Sequence, residues 1–249
     1  VLLSFHLTED ETDKFVIAAK KKIATEKNAR WIRLEREAFV SFIDAIKKGD
    51  AAEVTAFLSK KININGKDIN GNIPLHTACA AGKFDIVRLL VEKGADINSQ
   101  DFDMKTPLHR AVESGNPDIV AYILAKGANV QAKSISGDTP LHDNAIQGNE
   151  KITGLLIGKH ADVNAKNQMG ASPLHLASEH GHLIVVKALV EKGADINAYD
   201  NMGDRAIDRA RRMEKHDIVN YLIERESNPL NSGDDTSSDG EDTSIQDHN

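Results

Sequence analysis

Between residues 73 and 204 one pattern of apolar and polar positions recurs, and its spacing is helical. Leu108, Ala111 and Val112 lie three and four residues apart, which places them on one face of a short helix. A second helix follows in the same segment, as in Ile86-Val87-Arg88-Leu89-Leu90. Pro74, Pro107, Pro140 and Pro173 stand at the first position of the shorter helix, where a missing N–H costs nothing. Thr106, Thr139 and Ser172 precede three of these prolines and are predicted to be helix N-caps. A glycine ends each short helix, and Gly94, Gly127 and Gly193 open a polar loop that needs left-handed backbone.

The recurrence has a fixed step. Ile73-Pro74-Leu75-His76 returns as Thr106-Pro107-Leu108-His109, Thr139-Pro140-Leu141-His142 and Ser172-Pro173-Leu174-His175, 33 residues apart each time. Lys93-Gly94-Ala95-Asp96-Ile97-Asn98 keeps that step through Lys192-Gly193-Ala194-Asp195-Ile196-Asn197, and Gly49, Gly82, Gly115, Gly148 and Gly181 keep it again. Three anchors on one period make chance a poor explanation.

The period, the Thr-Pro-Leu-His motif and the Gly-Ala-Asp-Ile-Asn loop together resemble the ankyrin repeat family over about residues 40–229. The expected fold is all-α. It is a solenoid of six helix-turn-helix units with β-hairpin-like loops, at 40–72, 73–105, 106–138, 139–171, 172–204 and 205–229. Each unit leaves an apolar face that only a stacked neighbour covers. The first and last units are degenerate, as caps should be. The unit at 139–171 is expected to be the soft one: Asn144 stands where others have Ala78, Ala111 and Ala177, Gly154 and Gly158 fall inside its second helix, and His160 replaces a loop glycine.

Residues 1–39 read as an N-terminal helical extension. Thr8-Glu9-Asp10-Glu11 suggests a capping box, and apolar stripes follow at Phe15, Ala18, Ala19 and Ile23 and at Trp31, Leu34, Ala38, Phe39 and Phe42. The polar stretch Thr25-Glu26-Lys27-Asn28 between them is a candidate helix break. Residues 230–249 read as a disordered acidic tail. Ser232 and Ser238 there resemble acidic-directed kinase sites, although a plain solubilising tail is the favoured reading. Val1, with neither an initiator Met nor a signal-peptide pattern, reads as the start of a fragment.

Charge and chemistry narrow the function. Residues 1–39 carry 8 Lys+Arg against 7 Asp+Glu, residues 40–229 carry 23 against 25, and the tail carries 0 against 6. The repeat body is near neutral and aromatics make up 4% of the chain, which disfavours nucleic acid as a partner. No apolar run is long enough for membrane insertion. Cys79 is the one cysteine, aligned with the small apolar positions Val112 and Ala145, and reads as a packed core thiol. His76, His109, His142 and His175 fall one per repeat, too far apart to share a metal ion. The resemblance instead implies that each bonds a motif threonine and backbone. No phosphate-cradling motif or nucleophile arrangement occurs, so no catalytic residues, cofactor or metal are expected and the chain reads as no enzyme.

The resemblance further implies that hairpin tips and first helices form a concave surface for a partner protein. The positions so assigned are Ile69, Asn70, Phe102, Asp103, Lys105, Glu113, Ile135, Ser136, Asp138, Gln147, Gln168, Met169, Glu179, His180, Tyr199 and Met202. Ile69, Phe102 and Ile135 share one tip position, and Met169, Met202 and Tyr199 continue an apolar row that a plain turn would not need. The expected function is a non-catalytic scaffold or adaptor, monomeric and cytoplasmic, with the nucleus as an alternative location. The competing expectation is a targeting or regulatory ankyrin arm of a larger enzyme, such as a GTPase-regulating protein, with its catalytic domain before residue 1.

Overall fold

The computed structural model describes residues 9–227. The expected cap at Thr8 and the acidic tail with Ser232 and Ser238 lie outside the described residues. The chain divides into two compact units, one ending at Ile135 and the other beginning at Ser136. Among the described residues all regular structure is helical.

The first unit holds α1 (Glu9–Lys48), α2 (Ala51–Ser59), α3 (Pro74–Ala80), α4 (Phe84–Glu92), α5 (Pro107–Glu113) and α6 (Pro117–Ala125). Each helix packs on the next to form a pair, α3 lies between α1 and α5, and α4 lies between α2 and α6. The core follows the helical periodicity: Phe42, Ala45 and Ile46 from α1, Leu75 and Ala78 from α3, and Val87 and Leu90 from α4 are fully buried. The rings of Phe42 and Phe57 pack 5.7 Å apart and tie α1 to α2.

Helix α1 runs unbroken through Thr25–Asn28 and on to Lys48, so the extension and the first helix of the repeat region are one helix. The polar stretch interrupts an apolar stripe, but it contains no Pro or Gly to stop a helix. The Thr25 hydroxyl donates to the Lys21 carbonyl within it.

The second unit holds α7 (Pro140–Gln147), α8 (Glu150–Gly158), α9 (Pro173–His180), α10 (Leu183–Glu191), α11 (Ala206–Arg212) and α12 (His216–Ser227). The same two rows recur: α9 between α7 and α11, and α10 between α8 and α12. Leu141, Ile152, Leu156, Leu174, Val186, Leu189 and Ala210 are fully buried.

The structure places the expected caps of the short helices and adds a second partner to each. Thr106, Thr139 and Ser172 occupy the N-cap position in extended conformation, each in a capping box with the histidine three residues on. The motif histidine closes the helix start. His109 Nδ1 accepts the Thr106 N–H at 3.0 Å, and the Thr106 hydroxyl lies 2.9 Å from the same nitrogen. His76 does this for Ile73, which has no hydroxyl at all. Side-chain caps of the ordinary kind stand instead before longer helices, at Asp50, Asn116 and Asn149. In the last pair Asp208 takes the place of histidine and its carboxylate accepts the Arg205 N–H.

Because Nδ1 accepts, Nε2 carries the proton. His76 donates it to the Lys105 carbonyl, His142 to that of Ala171 and His175 to that of Asp204, each 29 residues ahead. One ring thus caps its own helix and fastens the following tip, which is the backbone role that the resemblance implied.

Candidate interaction surface

The tips owe their shape to side-chain carboxylates and amides that mimic a turn. In the first unit Asp68 Oδ1 accepts the N–H groups of Asn70 and Asn72 at 2.8 and 2.9 Å, and Asp101 Oδ1 accepts those of Asp103 and Lys105 at 2.9 Å each. Successive tips are joined by backbone: Phe102 N–H donates to Asn70 O at 3.0 Å and Ile135 N–H to Asp103 O at 2.7 Å. The Phe102 ring lies on Gly71. A β-carbon on Gly71, whose φ is 81°, would sit 2.7 Å from the ring, so glycine is needed for this approach.

On this fixed backbone three large apolar side chains face outward. Ile69 is 92% exposed, Phe102 67% and Ile135 56%. Asn70 and Asp103 beside them are exposed. Lys105 and Glu113 are half-buried and paired with each other, and Arg110 bridges Glu113 at 3.0 Å and Asp101 Oδ2 at 2.6 Å. Burial alone would push the Glu113 carboxyl up. The bonds from Lys105 and Arg110 outweigh it and hold it below the usual carboxylate range. Lys105 and Glu113, with Arg110 and Asp101, therefore present a neutralised cluster with fixed hydrogen bonds.

The second unit repeats the plan with different side chains. Asn167 Oδ1 accepts the N–H groups of Met169 and Ala171 at 3.0 Å, and Asp200 Oδ1 accepts those of Met202 and Asp204 at 2.8 and 3.0 Å. The tips are joined by Gln168 N–H to Ser136 O at 2.9 Å and Asn201 N–H to Met169 O at 3.0 Å. Asp138 is half-buried and accepts from the Asn167 amide at 2.8 Å. Met169, Tyr199 and Met202 are exposed, as are Ser136, Gln147, Gln168 and His180.

Glu179 is half-buried and accepts from Arg209 Nη1 at 2.6 Å, while Arg209 grips Asp200 Oδ2 through Nε and Nη2 at 2.9 and 2.6 Å. Burial opposes ionisation of Asp200. The Asp204 N–H, Arg209 and the Met202 N–H outweigh it and keep the carboxyl below its ordinary value. His180 is held by the Leu176 carbonyl and stacks on His182 with ring centroids 6.3 Å apart, and His182 in turn bonds the Ile146 carbonyl.

The structure thus places all sixteen assigned positions at the surface or half-buried, within one unit or the other. Sequence reasoning missed the residues that hold them there. Asp68, Asp101, Asn167 and Asp200 share one position at steps of 33 and 66, and only Asp101 and Asp200 have an arginine nine residues on, Arg110 and Arg209. That co-occurrence was a readable sign of an ion pair.

Cys79 is fully buried, and burial pushes its thiol far above the ordinary range. Among the described residues no group of three or more His, Cys, Asp or Glu is placed to hold a metal ion. No helix of the described residues is long and apolar enough to cross a membrane.

Short helix, turn, longer helix and clasped tip, recurring every 33 residues, define a helical-repeat protein whose variable side chains stand on the tips. The family model for ankyrin repeats (3 copies) matches residues 42–134, 103–167, 124–200 and 141–232, and the chain belongs to the ankyrin repeat family. Ankyrin repeats are generally protein–protein interaction modules and typically non-catalytic. Comparison with curated proteins gave no match.

Proposed function

We propose that this chain is a non-catalytic interaction scaffold that holds a partner protein on its hairpin tips and adjoining first helices. The observation that carries the reading is the exposure of Ile69, Phe102 and Ile135 on tips that backbone hydrogen bonds join to one another. The exposed parts of these apolar groups gain burial only when a partner covers them, and on a rigid support they lose little entropy then. Phe102 is the anchor of the first unit. In the second unit Tyr199 is the rigid anchor, with Met169 and Met202 as adaptable contacts. Asn70, Asp103, Lys105, Glu113, Ser136, Asp138, Gln147, Gln168, Glu179 and His180 form the polar surround that sets register and specificity.

The test is a pull-down from matched cell lysate with the parent chain and the Phe102→Asp, Ile135→Asp double variant, alongside circular dichroism of both. A protein held by the parent is expected to be lost by the variant at least about tenfold, which corresponds to about 1.4 kcal/mol, with the helical signal unchanged. Equal capture by both folded chains would refute the assignment of the anchors.

A further inference from the structure

The chain contains five sulfur atoms, in Cys79 and in Met104, Met169, Met202 and Met213. Their distribution is the reverse of the usual one. Methionine ordinarily fills core gaps, yet here all four are 44–68% exposed and none contributes to the buried core. Met104 lies on a tip of the first unit, Met169 and Met202 lie on tips of the second, and Met213 follows α11. Cys79, the other oxidisable sulfur, is fully buried and held as the thiol.

Three of these side chains hang from backbone that is already fixed. The Met104 N–H donates to the Asp101 carbonyl and the Met104 carbonyl accepts from the Gln100 amide. The Met169 N–H bonds Asn167 and its carbonyl accepts the Asn201 N–H, and the Met202 N–H bonds Asp200. A chemical change at these thioethers alters the surface without asking the fold to move.

We propose that Met104, Met169, Met202 and Met213 are reversible oxidation sites for a two-electron oxidant of the peroxide class, and that oxidation turns these four exposed apolar side chains polar while the fold stands. The consequence for binding rests on the function proposed above. In the step itself a sulfur lone pair attacks one peroxide oxygen. The S–O bond forms as the O–O bond breaks, and the departing hydroxide takes the proton from the transferred oxygen and leaves as water. Sulfur loses two electrons to the peroxide. The sulfoxide is larger in dipole and accepts hydrogen bonds, so it opposes burial under an apolar partner. Stereospecific methionine sulfoxide reductases reverse it.

The experiment treats the full chain with hydrogen peroxide and reads three things: peptide mapping by mass spectrometry, thermal unfolding, and fluorescence of the apolar-surface dye bis-ANS. A four-site Met→Leu variant runs in parallel. Expected are four sulfoxides formed at rates within about threefold of methionine in a free peptide, with Cys79 untouched. The Tm stays within about 2 °C. Dye fluorescence falls by about half or more and returns after reductase treatment. The Leu variant binds dye and ignores peroxide.

Protection of Met169 or Met202, loss of cooperative unfolding at the sulfoxide stage, or unchanged dye fluorescence of a fully oxidised chain would each overturn the inference. So would equal loss of dye binding in the Leu variant. An untreated chain that binds no dye overturns the exposed-apolar-surface reading as well, which separates the two failures.

Discussion

Asn144 is fully buried at a position where Ala78, Ala111 and Ala177 stand in equivalent helices, and Thr153 is fully buried where Val87, Val120 and Val186 stand. The two substitutions answer each other. Asn144 Nδ2 donates to Thr153 Oγ1 at 2.7 Å and to the Asn149 carbonyl at 3.1 Å, and the Thr153 hydroxyl donates to the same carbonyl at 3.0 Å. An Ala–Val contact is replaced by a small polar bridge from α7 to α8. Its weak point is Asn144 Oδ1, which is buried with no hydrogen-bond partner. Thr153→Val alone removes one acceptor of a buried amide and is expected to destabilise by about 1–2 kcal/mol. Adding Asn144→Ala restores the Ala–Val pair of the other helices and recovers that loss, so urea denaturation of the four members of the cycle should show strong coupling. Additive effects would mean that the bridge is not the unit. The backbone shows the same logic of registered exceptions. Lys61, Met104, His160 and Glu214 have φ of 55–61°, and each stands where other repeats place a glycine of positive φ, such as Gly94, Gly71, Gly127 and Gly181. His160 and the missing glycine at Met104 are visible from the alignment of repeats. Lys61 and Glu214 lie outside the four segments that carry the Pro-Leu-His motif, so that motif does not mark their register.

At the scale of elements, α8 holds the two glycines on which the expected weakness of its unit rests. Gly154 and Gly158 lie within or at the end of this helix, and a β-carbon on either would meet nothing within 4 Å. Their cost is therefore backbone entropy without compensating close packing. Gly154→Ala with Gly158→Ala is expected to raise stability by about 1 kcal/mol per site, less at the helix end. Before that change, amides of 149–160 should exchange faster than those of 86–93 in α4, and after it the gap should narrow. Equal protection in the unmodified chain would place the soft element elsewhere.

The limits of the sequence are also visible at this scale. Helix pairs, tips and outward apolar side chains were legible because they repeat in side-chain identity. The bonds joining successive tips, such as Phe102 N–H to Asn70 O, run through backbone and leave no trace in residue type. The continuity of α1 was hidden for the opposite reason. A polar stretch changes which face is apolar, and only Pro or Gly would have changed the backbone. The exposed apolar side chains were found by pattern, whereas the pairing of Lys105, Glu113 and Glu179 needed coordinates, since their partners are eight, three and thirty residues away.

Across the whole molecule the histidines make stability depend on pH in a defined direction. His76 in the first unit and His175 in the second are buried and neutral, each with Nδ1 accepting an N–H and Nε2 donating to a carbonyl ahead. Burial pushes the His76 ring below 6.5, with the Lys105 carbonyl opposing it only in part. Burial does the same for His175, helped by the positive charge of Arg209. Protonating Nδ1 would also turn a donor toward the donors that it now accepts from. As pH falls through about 6.5 the unfolded chain takes up these protons first, so stability drops from there until the folded rings titrate as well. Above that range these two groups contribute no slope. The lowered carboxyls of Glu113 and Asp200 act in the same direction but only near and below about pH 4, where unfolded carboxylates protonate. Urea midpoints measured from pH 8 to pH 5 should therefore be level at first and then fall. The His76→Gln, His175→Gln chain should start lower at pH 8, because the glutamine cannot reproduce both bonds, and should lose less between pH 7 and pH 5. An equal fall in both chains would assign the acid sensitivity to other groups and leave the two rings as packing elements alone.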